Sequence, residues 1–135
     1  MQFGIQPIEY YGNINDFTTV KSWDVSSGSP ATLYFILTKT DGLGTKRFIT
    51  DNSTTVNVLF LRSRPAKSGE SAKTISKTAV TVSPNDKSLF QINLSAEDAT
   101  NILSGSVQLV VTISGVQNKS SVPYIIKKSI SSPGF

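Results

Sequence analysis

The chain has 135 residues, enough for one domain that buries a core without disulfide or metal staples. Hydrophobic residues make up 38% and charged residues 16%, with Ser, Thr and Asn filling the difference; so low a charge argues against intrinsic disorder, and a Ser/Thr-rich, β-branched composition suits the exposed faces of strands. Cysteine and histidine are absent, which excludes disulfides, thiolate nucleophiles, Cys/His zinc sites and any triad with a histidine base, and the net charge of +4 is scattered with no basic run longer than two, which argues against nucleic acid.

Residues 1–16 read as an N-terminal arm. The opening MQFGIQPIEYYGN lacks a basic start followed by an apolar run, so no signal peptide is read there and synthesis in the cytoplasm is expected. Phe3, Ile5, Ile8, Tyr10, Tyr11 and Ile14 are apolar, yet Gly4, Pro7 and Gly12 interrupt regular structure. Such a segment either packs along an edge of its own domain or docks on a neighbour. From Phe17 to Val25 an alternating pattern appears with Val20 and Trp23 out of phase, which predicts a strand with a bulge or bend, and Gly28-Ser29-Pro30 punctuates it.

Residues 31–40, ATLYFILTKT, make the clearest strand, with Leu33, Phe35 and Leu37 on one face and Tyr34, Ile36 and Thr38 on the other. Asp41-Gly42 and Asp51-Asn52 are turns around a short strand at 46–50. Residues 54–62 form the second clear strand, with Val56, Val58 and Phe60 pointing one way and Leu59 and Leu61 the other. The loop 63–72 follows; with Arg62 it holds the densest basic cluster, Arg62, Arg64 and Lys67. Residues 73–82 alternate again with Ile75, Ala79 and Val82 inward, and Ser83 to Asp86 turns the chain.

The stretch 89–115, LFQINLSAEDATNILSGSVQLVVTISG, fixes the architecture. A strand ending at Leu94 meets Ser95, and Ser95 with Asp98 has the spacing of a capping box. One short helical turn through Ala99, Ile102 and Leu103 ends near Gly105, and a second strand runs from Val107 to Ile113. Strand, capped turn, strand carries a chain from one sheet of a sandwich to the other. A hairpin closes over Gly115–Asn118, and Val122–Ile130 is the last strand, where Pro123 predicts an edge position. The tail, residues 131–135, ends on Phe135. Seven to eight strands at about 10-residue spacing predict an all-β, immunoglobulin-like antiparallel sandwich over residues 17–130, with one helical turn near 96–103.

The candidate sites have plain structural readings. Glu97 and Asp98 are neighbours in a first helical turn and do not face each other, so their role is capping. Asp41, Asp51 and Asp86 sit where Asp forms turns, and the segment between the first two lacks the alternating acidic residues of a calcium loop. The Asn-x-Ser/Thr matches at Asn52, Asn93 and Asn118 are chance occurrences in a Ser/Thr-rich chain. Trp23, Tyr10, Tyr11, Tyr34 and Tyr124 offer a stacking platform for sugars, although a lone Trp in a sandwich belongs more often to the core. No catalytic residue, metal ligand or cofactor is assigned, and runs such as VLFL (58–61) are too short to cross a membrane.

The segment FQINLSAEDATNILSGSVQLVVTISG resembles one in the immunoglobulin-like domains of tailed-bacteriophage structural proteins, among them the N-terminal domain of baseplate upper proteins and small head-decoration sandwiches. The resembling features are the strand ending at Leu94, the Leu-Ser-x-Glu-Asp turn, and the Val-x-Leu-Val-Val strand from Val107. The resemblance implies a non-enzymatic structural subunit of a virion, present in many copies, in the head decoration or in the tail or baseplate, docking on other virion proteins. The docking elements expected on that reading are Phe3, Ile5, Ile8, Tyr10 and Tyr11 of the arm and Phe135 of the tail. The alternative is a carbohydrate-binding module that attaches to a host cell surface.

Overall fold

A strand whose alternate side chains are apolar must lay that face against another sheet. Seven long strands here carry such a face. The computed structural model describes residues 2–13, 16–60, 74–102 and 105–129. In chain order these form β1 (Gln2–Asn13), β2 (Asp16–Thr19), β3 (Trp23–Ser26), β4 (Ala31–Asp41), β5 (Gly44–Arg47), β6 (Thr54–Phe60), β7 (Ile75–Ser83), β8 (Asp86–Leu94), α1 (Ala96–Asn101), β9 (Gly105–Ile113) and β10 (Val116–Ser129). The sequence predicts seven to eight strands. The described residues hold ten, because the arm forms β1 and the strand expected over 17–25 is two, β2 and β3.

One sheet runs β2-β1-β4-β8-β7, with β5 alongside β4; the other runs β7-β6-β9-β10-β3. With β1, β4 and β8 on one side and β6, β9 and β10 on the other, the connectivity follows the immunoglobulin order. Strand β7 belongs to both sheets. Its first half, Ile75–Ala79, pairs with β6, and Val80 to Ser83 pair with β8 across a register shift near Thr81. That shift explains why the inward set predicted for this strand divides. Ala79 is buried in the main core with Ile75 packed against it, whereas Val82 packs on the far side of the first sheet.

The main core lies between the sheets. Phe3, Leu33, Phe35, Leu37, Phe90 and Ile92 from one meet Val56, Val58, Phe60, Val107 and Leu109 from the other. Phe35 stacks on its cross-strand partner Phe90 with ring centroids 5.6 Å apart. Each fully buried side chain of this size contributes about 1.5–3 kcal/mol of transfer free energy. The crossover from β8 to β9 forms as its sequence predicts. Ser95 accepts from the Asp98 N–H at 3.1 Å, the Asp98 carboxylate accepts from the Ser95 N–H at 3.1 Å, and Ala99 and Ile102 close the end of the core.

Several boundaries differ from the sequence expectation. The predicted strand 17–25 is two strands in different sheets, because the chain leaves β2 at Val20 and reaches β10 with Trp23. The short strand expected at 46–50 spans Gly44–Arg47, and Phe48 leaves it to pack edge-on against Phe3. The last hairpin turns at Ser114-Gly115, both with positive φ (49° and 84°), so β10 begins at Val116. Pro123 stands where its type predicts: it falls in the register shift between Val122 and Ile126, ahead of the pairing with β3, so among the described strands this part of β10 is an edge and no ladder bond is required of it. The pairing of β10 with β3 is parallel, a departure from a purely antiparallel sandwich.

The arm packs along its own domain, the first of its two expected forms, but as regular structure. Residues 2–13 are a full strand of the first sheet, paired with β4 from Gln2↔Thr40 to Ile8↔Tyr34 and with β2 beyond that. Odd positions point inward and even ones outward. Phe3 therefore enters the main core, while Ile8 joins Ile36 and Leu89 in a second cluster on the outer face, flanked by Tyr10, Phe17, Tyr34 and Val82. The Arg47 guanidinium lies 6.0 Å over the Phe17 ring at this cluster.

Candidate functional site

Two features of the fold present chemistry to a partner. The first is a pair of open strand edges. Strand β1 has β4 on one side, but among the described residues no strand pairs with Gln2–Gln6 on the other, because β2 pairs only from Ile8 onward. Strand β10 pairs with β9 over Val116–Val122 and meets β3 only from Ile126. Both open edges flank one groove of about 350 Å³, lined by Gln2, Gly4, Gln6, Ser121 and Val122 among others. The two-residue turn at Ser114-Gly115 makes Ile113 and Val116 a hydrogen-bonded pair, so bonding to β9 falls on Val116, Asn118, Ser120 and Val122. The backbone groups of Gln117, Lys119 and Ser121 then point outward, away from β9. Among the described residues the margins at β2, β3 and β5 are four residues long and β7 gives each sheet only half its length, and short edges are the usual protection against unwanted pairing.

The second feature is a cleft of about 630 Å³ where β1 leaves β4. Beyond Ile8↔Tyr34 the two strands part, and Trp23 fills the gap. Its indole N–H donates to the Tyr34 carbonyl at 2.8 Å, and its ring meets Phe35 edge-on at 5.9 Å. Trp23 is 4% exposed, so it belongs to the core and forms the floor of the cleft. The Tyr10 and Tyr34 rings, half-buried, lie 4.9 Å apart at 34°. Tyr11, 55% exposed, projects from the opposite face of β1, and its hydroxyl is held by Glu9 Oε2 at 3.1 Å and Thr18 Oγ1 at 3.3 Å. Lys21, Ser22, Asp24, Thr32 and Lys127 complete the lining.

Against the sequence-predicted docking set, Phe3 and Ile8 are core residues, Ile5 packs on the core half-buried, and Tyr10 and Tyr11 line the cleft. Phe135, and the basic residues Arg62, Arg64 and Lys67, lie outside the described residues. Of the predicted aromatic platform, four members meet at one place; the Tyr124 side chain lies outside those described. Glu9, Lys21, Asp24 and Lys127 were not singled out from the sequence. The segment Lys21-Ser22-Trp23-Asp24, polar residues flanking the lone Trp, carried the available signal.

The acidic residues elsewhere do structural work. Asp41 accepts from the Leu43 N–H, and Asp51 from the Ser53 N–H and from the hydroxyls of Ser53 and Thr54. The Ser53 hydroxyl and N–H and the Thr54 hydroxyl hold the Asp51 carboxyl below its ordinary value. Burial pushes Asp86 up, but the Ser88 hydroxyl and N–H, with Arg47, outweigh it and leave that carboxyl lowered. Asp98 behaves alike: burial is outweighed by Lys77, 2.6 Å away, and by the Ser95 N–H and hydroxyl. Among the described residues no cluster of acidic side chains is arranged to hold a metal ion, and no helix is long and apolar enough to cross a membrane.

No protein-family model matches the chain, and no curated protein matches it in sequence.

Proposed function

We propose that the chain is a non-enzymatic structural subunit of a bacteriophage virion that docks on other virion proteins by strand addition. The observation that carries the docking half of this reading is the groove between the open edges of β1 and β10. An extended segment of a partner laid beside Gln117–Ser121 would satisfy outward backbone groups, and main-chain hydrogen bonds of that kind supply affinity with little demand on side chains. The virion half rests on the sequence resemblance of residues 90–115 to phage sandwich domains. Phe3 and Ile8 are committed to the two cores, so on this reading the arm offers a partner its backbone edge rather than those two side chains. Many copies on one particle would add avidity to contacts that are individually weak.

The test is quantitative peptide mass spectrometry on purified particles of the source virus, with wild-type chain and with Lys119→Pro. Proline at position 119 removes an outward N–H and leaves the ladder to β9 intact. Wild-type chain at a fixed copy number, and a variant that folds but is lost from the particle, is the expected result. Absence of the wild-type chain from particles would end the virion reading, and full incorporation of the variant would end strand addition.

A further inference from the structure

We propose that the cleft between β1, β3 and β4 binds a neutral oligosaccharide. This goes beyond the docking reading and stands independently of it, because the cleft and the open-edge groove are lined by different residues. The cleft has a size typical of small-ligand sites and combines apolar aromatic surface with a few placed polar groups. Sugar rings offer that pairing in reverse, with C–H faces that lie on an aromatic ring and hydroxyls at their rims.

Tyr11 supplies the open face. Its hydroxyl is held from two sides by Glu9 and Thr18, so its ring orientation is set before any ligand arrives. Tyr10 and Tyr34 border the cleft where β1 leaves β4, and their rings, paired on the outer face, hold that border in place. Charge selects the class. Glu9 and Asp24 are matched by Lys21 and Lys127, so the lining carries no net charge and favours neither a polyanion nor a polycation. Carboxylates accept from sugar hydroxyls and ammonium groups donate to them, and Ser22 and Thr32 do both. Trp23 keeps the floor rigid and contributes no stacking face, since only 4% of it is exposed.

The experiment is an NMR titration of the isotope-labelled full chain with the neutral tetrasaccharides chitotetraose, maltotetraose and cellotetraose. Hyaluronan tetrasaccharide serves as the acidic comparator, and a hexapeptide of alternating Thr and Val as the extended-peptide comparator. The expected result is saturable shifts at Tyr11, Thr32 and the Trp23 indole N–H with at least one neutral sugar at millimolar concentration. Tyr11→Ala weakens that binding by roughly tenfold or more, and Tyr11→Phe, which keeps the ring but loses its hydroxyl anchors, weakens it less than Tyr11→Ala does. Tyr11 is exposed, so neither variant disturbs the core, and an unchanged Trp23 emission spectrum verifies this. No shift with any neutral sugar overturns the proposal. So does binding indifferent to Tyr11→Ala, or a response at the cleft to the acidic sugar or the peptide alone.

Discussion

The indole N–H of Trp23 donates to the main-chain carbonyl of Tyr34 at the point where β1 stops pairing with β4. A side chain from the strand of one sheet thereby finishes the ladder of the other. The same bond sets the depth of the aromatic cleft, because it holds the Trp23 ring below Tyr34 instead of beside it. Packing and hydrogen bonding meet in one residue here, so replacing it has two separable costs.

Trp23→Phe keeps an aromatic ring in the core but removes the donor. The Tyr34 carbonyl is left without that partner in a half-buried position, at a cost of about 1–3 kcal/mol before any loss of volume is counted. A lower urea midpoint at unchanged slope is expected. Acrylamide should quench the wild-type Trp23 emission only weakly, since the ring is 4% exposed. Strong quenching would mean that the indole is not seated under Tyr34.

The arm is the next test. Phe3 is 2% exposed, sits in the main core and meets Phe48 edge-on at 4.9 Å. Phe3→Ala should cost about 3–5 kcal/mol, and removal of residues 2–13 should unfold the domain, because it strips a strand from β4. A truncated chain that retained a cooperative thermal transition would show instead that the arm is dispensable.

These two outcomes mark where the sequence was legible. The crossover from β8 to β9 could be read because its signals are local: Ser95 and Asp98 at capping distance, with apolar alternation on either side. The arm could not, because its breakers have tertiary uses. Gly4 packs where a β-carbon would come 2.9 Å from Thr38 Oγ1, Gly12 takes a φ of 94°, and Pro7 offers its carbonyl to the Val20 N–H. The outer-face cluster was hidden for a similar reason. Alternation puts Ile36 and Leu89 on the solvent side of their strands, and packing with Ile8, Tyr10 and Phe17, from distant positions in the chain, helps to bury them. The cleft likewise joins Tyr10, Trp23 and Tyr34 through a strand divergence that no local pattern encodes.

Ser95 is the residue to probe in the crossover. Ser95→Ala removes the acceptor for the Asp98 N–H and should cost about 1 kcal/mol, whereas Ser95→Gly should cost only a few tenths. The ordering Ser, Gly, Ala in thermal midpoint is the expected readout. An alanine variant as stable as wild type would show that α1 is held by Ala99 and Ile102 alone.

Acid stability follows from three carboxyls. Asp51, Asp86 and Asp98 each titrate lower in the folded chain than the ordinary value of about 3.9 for an unfolded aspartate. Between the folded and unfolded values the unfolded chain binds more protons, so stability rises with pH across that interval. Their contribution is fully present above the unfolded value and is lost as pH falls through the lowered folded values. Urea midpoints should therefore hold steady near neutrality and decline below about pH 5. Asp86→Asn combined with Asp98→Asn should lower stability near neutrality, since Asp86 loses its ion pair with Arg47 and Asp98 its pair with Lys77. The same double variant should flatten the acid decline, because two of the three groups that take up protons on unfolding are gone. A variant whose midpoint falls with pH as steeply as wild type would assign the acid sensitivity to other carboxyls.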